Sequence, residues 1–217
     1  MTTIYLSRHG ETIWHAENRY AGGTDIPLTS KGKTQAGILA KWAETANLTA
    51  IYSSILSRAV LTAEQSAKAT GLPLTKDARL RELDFGQGEG LTRPDMEKLF
   101  PEALAHFLVD PARNPLPGGE DPYRAADRFM QCLYDIVRQH PGGRVLVVAH
   151  TTSIRLSLCC LLGIPLAKYR QTLPALRNCS LTELSMTEHA ASLMQYNTPV
   201  SNAPMNAPTA LRQEYQV

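Results

Sequence analysis

The chain has 217 residues, of which 43% are hydrophobic and 19% are charged. This composition excludes a disordered, collagen-like or coiled-coil protein, and the length suits one domain of ordinary size. Twenty-two basic and 20 acidic residues leave a formal net charge of +2. We therefore expect no general affinity for nucleic acid or membranes, and any strong anion site must be a local cluster.

Three short apolar runs predict the main strands. Residues 4–7 are the first run, residues 48–53 are the second, and residues 145–149 form a continuous run rich in valine. Unbroken runs of this kind are typical of strands buried on both faces, as in a parallel sheet. Two further strands are predicted late in the chain, at 180–184 and 192–196.

Helical patterns lie between these strands. Thr29 is a predicted N-cap, and Arg58 lies in the first turn of a second helix. Apolar residues within 126–137 recur at i, i+3, i+4 and i+7, which predicts a helix with one buried stripe. Another helix follows His150 and ends at Gly163. The alternation of strands and helices predicts an α/β fold.

The domain organisation is predicted to be simple. We expect residues 1–200 to form one domain with a helical insertion at about 91–140, whose Pro-rich first part spans 91–118. Residues 201–217 are expected to be a flexible C-terminal tail. There is no secretory signal pattern and no run of ~18 apolar residues, so we expect a cytoplasmic protein. The spacing of the four cysteines predicts reduced thiols rather than disulfides or a zinc site.

Two of the predicted strands end in a histidine. Arg8 and His9 follow the first strand, and His150 follows the run at 145–149. Ligands of open α/β sheets bind outside the carboxyl ends of the strands. A helix begins just after His150, and the amides of Thr151 and Thr152 at its N-terminus would favour an anion. The sequence therefore predicts an anion-binding crevice at this edge of the sheet.

The motifs around these residues resemble the histidine phosphatase superfamily, which includes the phosphoglycerate mutases. The resemblance covers about residues 3–197, with its motifs in the order of the family. They are Arg8-His9-Gly10-Glu11-Thr12, Asn18-Arg19-Tyr20-Ala21-Gly22, Asp25-Ile26-Pro27-Leu28-Thr29, Tyr52-Ser53-Ser54-Ile55-Leu56-Ser57-Arg58-Ala59, Leu80-Arg81-Glu82-Leu83-Asp84-Phe85-Gly86 and Val148-Ala149-His150. The resemblance implies a three-layer α/β/α fold with a mostly parallel sheet and a helical insertion over the crevice.

The resemblance also implies roles for individual residues. His9 would be the nucleophile that becomes phosphohistidine, and Glu82 would be the general acid and then the general base. The phosphate would be bound by Arg8, Arg58 and His150. Backbone contacts would come from Gly22 and Thr151. His15 stands where many relatives carry asparagine, so it either donates a hydrogen bond to phosphate or points away.

Physical chemistry is consistent with those roles. A free imidazole carries a nitrogen lone pair at neutral pH, so His9 needs orientation more than activation, and a hydrogen bond to a backbone carbonyl would fix its tautomer. Two guanidinium groups suit the equatorial oxygens of a transferred phosphoryl group. With a protonated His150, they would balance a phosphate dianion with one positive charge to spare, so no metal is required. Like-charge repulsion from that dianion favours protonation of Glu82.

The segment after Glu82 separates the branches of the family. Leu83-Asp84-Phe85-Gly86-Gln87-Gly88-Glu89-Gly90 is acidic and small, whereas mutases carry basic residues there. This segment and Pro117-Gly118-Gly119-Glu120 are similar to the phosphatase branch, which includes alpha-ribazole phosphatases and broad-specificity phosphatases. The prediction is a metal-independent phosphomonoesterase. A phosphoglycerate mutase-type transferase and a non-catalytic phosphoester-binding protein remain as alternatives.

Further expectations concern partners and two charged residues. We expect a small-molecule phosphate ester as substrate, with no cofactor, no metal, and no nucleic acid or membrane partner. The oligomeric state is left open, with a homodimer as one candidate. Glu11 either contacts the site or caps the next helix, and we favour the structural role. Arg155 is expected to pair with a carboxylate inside the fold.

Overall fold

The computed structural model describes residues 1–200, apart from the side chain of Ala16. The predicted tail at 201–217 lies outside the described residues. One six-stranded sheet has the strand order β3-β2-β4-β1-β5-β6. Its strands are β1 (Thr2–Arg8), β2 (Ala50–Ser54), β3 (Leu74–Asp77), β4 (Arg144–Ala149), β5 (Leu181–Met186) and β6 (Ala191–Thr198). The first four are parallel, and β5 and β6 are added antiparallel beside β1.

Helices cover both faces of this sheet. They are α1 (Ile13–Ala16), α2 (Ser30–Thr45), α3 (Ser57–Thr70), α4 (Arg93–Leu99), α5 (Pro101–Val109), α6 (Pro122–Gln139), α7 (Thr151–Leu161) and α8 (Tyr169–Thr172). Thr29 caps α2 as predicted, because its hydroxyl accepts a 3.0 Å hydrogen bond from the backbone amide of Gly32. The predicted three-layer α/β fold with a mostly parallel sheet is confirmed.

Alternate residues of the central strands enter two separate hydrophobic clusters. Side chains along a strand point to opposite faces, so β1 contributes Ile4 and Leu6 to one cluster and Tyr5 to the other. The first cluster includes Phe129 and Leu133 of α6, Ile154 and Leu158 of α7. The second includes Leu39 of α2, Ala59 and Ala63 of α3. Both faces of the sheet are therefore covered, which explains why the sequence of β4 is an unbroken apolar run.

Some element boundaries differ from the sequence prediction. The second strand begins at Ala50 rather than Leu48, because Asn47 has a left-handed φ of 52° that turns the chain before it enters the sheet. Strand β3 was not predicted, since its four residues lie at the sheet edge and none is fully buried. Within the stretch 91–140, α4 and α5 are short, whereas α6 packs on α7 in the first cluster.

The four cysteines are free thiols, as predicted: Cys132, Cys159, Cys160 and Cys179. Among residues 1–200, no helix combines the length and the apolar character needed to cross a membrane.

Candidate active site

The pairing of β1 with β4 brings the two strand-end histidines together. The strands are parallel, with Arg8 in register with Ala149, and the His9 amide donates to the Ala149 carbonyl at 3.0 Å. The two strands therefore end at the same level of the sheet. The rings of His9 and His150 lie with their centroids 5.1 Å apart, and both are buried.

The ring of His9 is held in one orientation. Its Nδ1 lies 2.7 Å from the carbonyl oxygen of Gly10, so Nδ1 carries the proton and donates it. The lone pair is then on Nε2, as the predicted nucleophile requires. Burial lowers the pKa of His9 well below 6.5, and the nearby His150, Arg58 and Arg8 lower it further. His9 is therefore neutral at pH 7.

The half-buried Arg8 and the buried Arg58 stand beside this ring, and backbone carbonyls hold both guanidinium groups. Arg8 donates from Nη1 to the carbonyl of Leu176 at 2.8 Å, and its Nη2 contacts His15. Arg58 donates to the carbonyls of Thr24 and Gly22 at 2.8 and 2.7 Å. Desolvation lowers the pKa of Arg8 to about 10 and also lowers that of Arg58, so both still carry a positive charge at pH 7.

Several buried nitrogen atoms of this cluster have no hydrogen-bond partner among residues 1–200. They are Nε of Arg8, Nε of Arg58, and both ring nitrogens of His150. Buried polar groups are normally paired, and unpaired ones call for an explanation. A tetrahedral oxyanion between these side chains would supply acceptors for them, and guanidinium groups suit such an anion.

The state of His150 differs from the sequence expectation. We expected a protonated ring, but burial lowers the pKa of His150 well below 6.5, and the charges of Arg58, Arg128 and Arg8 act in the same direction. His150 is therefore neutral beside these cations. A bound dianion would reverse the sign of the local field and favour its protonation.

Glu82 lies at the N-terminus of α7, where we had expected the substrate anion to meet backbone amides. Its carboxylate accepts from the amides of Thr152 and Ser153 at 2.9 and 2.8 Å, and from the amide of Leu83 at 2.8 Å. The helix dipole favours a negative charge there. The charge of Glu82 also raises the pKa of Arg8 and of Arg58, so the carboxylate lies close to both guanidinium groups.

The remaining predicted residues are also at this edge. His15 points inward: its Nδ1 lies 3.0 Å from the hydroxyl of Thr12 and its Nε2 faces Arg8. Burial and Arg8 lower the pKa of His15 to about 4. Gly22 is buried, and a Cβ there would lie 2.4 Å from the backbone carbonyl oxygen of Leu83, so only glycine fits. Thr151 occupies the first position of α7 and is half-buried.

Some positioning residues were missed by sequence reasoning. Asn178 donates from its side chain to the carbonyl of His9 at 2.8 Å, and Arg128 donates to the carbonyl of Glu82 at 3.0 Å. The hydroxyl of Thr62 accepts the amide of Gly10 at 3.0 Å. These contacts join segments that are far apart in the chain, so no local sequence pattern predicts them.

The structure confirms the expected role of Glu11 but not that of Arg155. Glu11 forms an ion pair with Lys31 at 2.8 Å and accepts from the hydroxyl of Thr29, so it supports the start of α2 as expected. The expectation for Arg155 was wrong. This arginine forms no ion pair with a carboxylate among residues 1–200, and its guanidinium stacks on the ring of Tyr169 instead.

The comparisons agree with this geometry. A sequence model of the histidine phosphatase superfamily (branch 1) matches residues 4–199, and the chain belongs to this superfamily. Two relatives, from Citrobacter koseri and Salmonella choleraesuis, are both described as probable phosphoglycerate mutase GpmB. They are 38% and 37% identical over 191 and 194 residues, and each match covers 87% of this chain and 86% of the relative.

Solved structures with similar folds include phosphatases. YhfR of Bacillus stearothermophilus has a TM-score of 0.87 and 33% identity, and the match covers 93% of this chain and 99% of YhfR. A mycobacterial glucosyl-3-phosphoglycerate phosphatase complexed with VO3 has a TM-score of 0.83 and 30% identity, with coverage of 90% and 99%. These likenesses place the chain among enzymes.

Proposed function

We propose that the protein is a metal-independent phosphomonoesterase that hydrolyses a small phosphorylated metabolite through a phosphohistidine on His9. The observation that carries this proposal is the setting of His9. Its Nδ1 is held by the carbonyl of Gly10, which leaves the lone pair on Nε2, and the groups acting on this ring, Arg8, Arg58 and His150, have buried nitrogens without a partner among residues 1–200. A nucleophile surrounded by donors for an oxyanion suits phosphoryl transfer, which depends on positioning and electrostatics.

In the first step, Nε2 of His9 attacks phosphorus. The P–N bond forms, the ester P–O bond breaks, and the leaving alkoxide takes a proton from Glu82. In the second step, the ionised Glu82 takes a proton from water, whose oxygen attacks phosphorus. The P–N bond then breaks, its electron pair returns to Nε2, and inorganic phosphate is released.

The charge balance supports a role for proton uptake in this cycle. Arg8 and Arg58 carry two positive charges, and an ionised Glu82 would offset one of them. A phosphate dianion would leave this cluster with one excess negative charge, which one proton on Glu82 or on His150 neutralises. No metal charge is required for that balance.

A phosphoglycerate mutase is the second candidate, because both relatives described above carry that name. The acidic side chains after Glu82 favour hydrolysis over this alternative. Glu89 accepts from the amide of Gly23 and the hydroxyl of Thr24 at 3.0 and 2.8 Å, so an acid occupies the rim of the crevice.

Rapid-quench labelling separates the candidates. The enzyme is mixed with a ³²P-labelled phosphate ester in EDTA, with and without 3-phosphoglycerate as acceptor. We expect an acid-labile phosphohistidine that water clears, whereas a mutase would pass the label to the acceptor. His9→Ala should form no label, and His189→Ala, which changes an exposed histidine, serves as the matched control. Absence of label in the wild-type protein, or its loss in EDTA with recovery in magnesium, would contradict the proposal.

A further inference from the structure

Arg155 is a buried cation that the proposed mechanism does not use. It lies on α7, four residues after Thr151, so the two residues share the helix face. Long side chains on a helix point back toward its N-terminus, and this direction leads from Arg155 toward His150 and Glu82. The charges act across this gap in the same sense: Arg155 lowers the pKa of Arg8, and Glu82 raises the pKa of Arg155.

Arg155 is only 8% exposed as a residue and yet has no anionic partner among residues 1–200. No carboxylate among residues 1–200 forms an ion pair with it, and its buried Nε has no hydrogen-bond partner there. Buried charges are normally paired, because removing an ion from water is costly. The other buried donors of arginine and histidine that lack a partner in this part of the chain are those of Arg8, Arg58 and His150. Arg155 therefore resembles the residues of the proposed phosphate site, because each has a buried side-chain nitrogen without a hydrogen-bond partner among residues 1–200.

A second cation stands beside it. The Cζ atoms of Arg155 and Arg170 lie 4.8 and 5.5 Å from the centroid of the Tyr169 ring, and Arg170 Nε donates to the Tyr169 hydroxyl at 3.0 Å. Arg170 also stacks on Phe107 of α5, with its Cζ 4.5 Å from that ring. Its charge lowers the pKa of Arg155. Stacking positions both guanidinium groups, but it does not relieve their repulsion.

We propose that Arg155, with Arg170 at its rim, binds a second anionic group of the substrate whose phosphate is attacked by His9. This inference rests on the proposed function and narrows it to phosphate monoesters that carry a further carboxylate or phosphate. Four residues of helix rise by ~6 Å, so the two anionic groups must be separated by only a few bonds. Small phosphorylated acids fit, and neutral phosphorylated alcohols lack the second group.

The test compares two substrates that differ at one group, 3-phosphoglycerate and glycerol 3-phosphate. We expect wild type to prefer the acid in kcat/KM, and Arg155→Met to lower the ratio about 10–100-fold, mainly through KM. Arg155→Lys should restore part of the ratio. Arg170→Gln should lower it less, and Arg113→Gln, at an exposed arginine, should leave it unchanged. Equal losses with both substrates, or no wild-type preference, would refute the subsite.

Two further measurements separate this inference from the proposed function. Hydrolysis of 4-nitrophenyl phosphate tests phosphatase activity without the second anion, so its absence counts against the function alone. Calorimetric binding of 3-phosphoglycerate to His9→Ala, with and without Arg155→Met, tests the subsite without turnover. Binding weakened at least tenfold in the double variant supports the subsite, and equal binding refutes it.

Discussion

The side-chain amide of Asn178 donates a 2.8 Å hydrogen bond to the backbone carbonyl of His9. The same short segment holds the neighbouring arginine: the amide of Cys179 donates to the carbonyl of Arg8 at 2.7 Å, and the carbonyl of Leu176 accepts from its guanidinium. Cys179 has a left-handed φ of 54°, which is uncommon for a residue other than glycine. Residues 176–179 therefore hold both His9, the proposed nucleophile, and Arg8, a proposed phosphate ligand.

We predict that Asn178→Ala lowers kcat about tenfold and changes KM little, because a small displacement of the nucleophile weakens positioning. Asn178→Asp should behave similarly, since an ionised carboxylate cannot donate to a carbonyl. Steady-state kinetics with 4-nitrophenyl phosphate measure this effect. Asn114→Ala, in the loop after α5, is the control. An unchanged kcat in both Asn178 variants would show that this contact does not position His9.

Replacement of Glu82 should depend on the leaving group. Glu82→Gln is expected to lower kcat/KM about 10²–10⁴-fold with an alkyl phosphate, whose alkoxide needs a proton. The loss should be much smaller with 4-nitrophenyl phosphate, because nitrophenolate leaves without protonation. The ratio of the two rates is the measurement, with Glu97→Gln on the exposed face of α4 as control. Equal losses with both esters would argue against a general acid.

Acid should destabilise the fold through His15, which is half-buried, and through the buried His9 and His150. The pKa of His15 is about 4 in the folded protein and near 6.5 in the unfolded chain, mainly because burial disfavours the charged ring. Between these values the unfolded state binds more protons, so stability is full above about pH 6.5 and is lost as pH falls toward 4. His9 and His150 act in the same direction, because their pKa values are also lowered.

Urea unfolding at pH 5.0–7.5 measures this dependence. Each buried histidine should contribute a slope of about 1.4 kcal/mol per pH unit within its window. His15→Asn should therefore reduce the slope of the unfolding free energy against pH by the contribution of about one proton, whereas His189→Ala should not change this slope. A wild-type stability that is flat across this range would mean that these rings already bind protons in the folded state.

Binding of a dianion should take up a proton, because His150 is neutral between the arginines. Sulfate is a suitable probe, since it stays fully ionised near neutral pH. Calorimetric titrations at pH 7.5 in buffers of different ionisation enthalpy should give an uptake close to one proton. His150→Gln removes that uptake if the proton goes to the imidazole, and Glu82→Gln removes it if the carboxylate is the acceptor. Zero uptake in wild type would contradict the charge balance.

The parts of the fold with a clear local pattern were predictable from sequence. Strand β4 is an unbroken apolar run, and α6 buries one regular stripe, so both patterns follow directly from burial. Strand β3 has no such pattern, because it is short and lies at the edge. The motifs pointed to His9, Arg8, Arg58, Glu82 and His150, which the structure brings to one edge of the sheet.

The partners of those side chains were less predictable. The carboxylate of Glu82 meets amides some seventy residues away in sequence, and the start of α7 offered an equally good site for a substrate anion. Arg155 was expected to pair with an acid, since most buried arginines do. Whether a carboxylate lies near Arg155 depends on several segments that are far apart in the sequence. The absence of such a partner therefore could not be predicted from any one of them.

The place of β1 in the sheet has a consequence for the order in which the enzyme becomes competent. This strand lies between β4 and β5, although it is the first to be made by the ribosome. More than half of the chain must be synthesised before either strand that flanks β1 can pair with it. Any fragment that stops short of residue 144 therefore lacks the framework of the proposed active site, although it already carries His9.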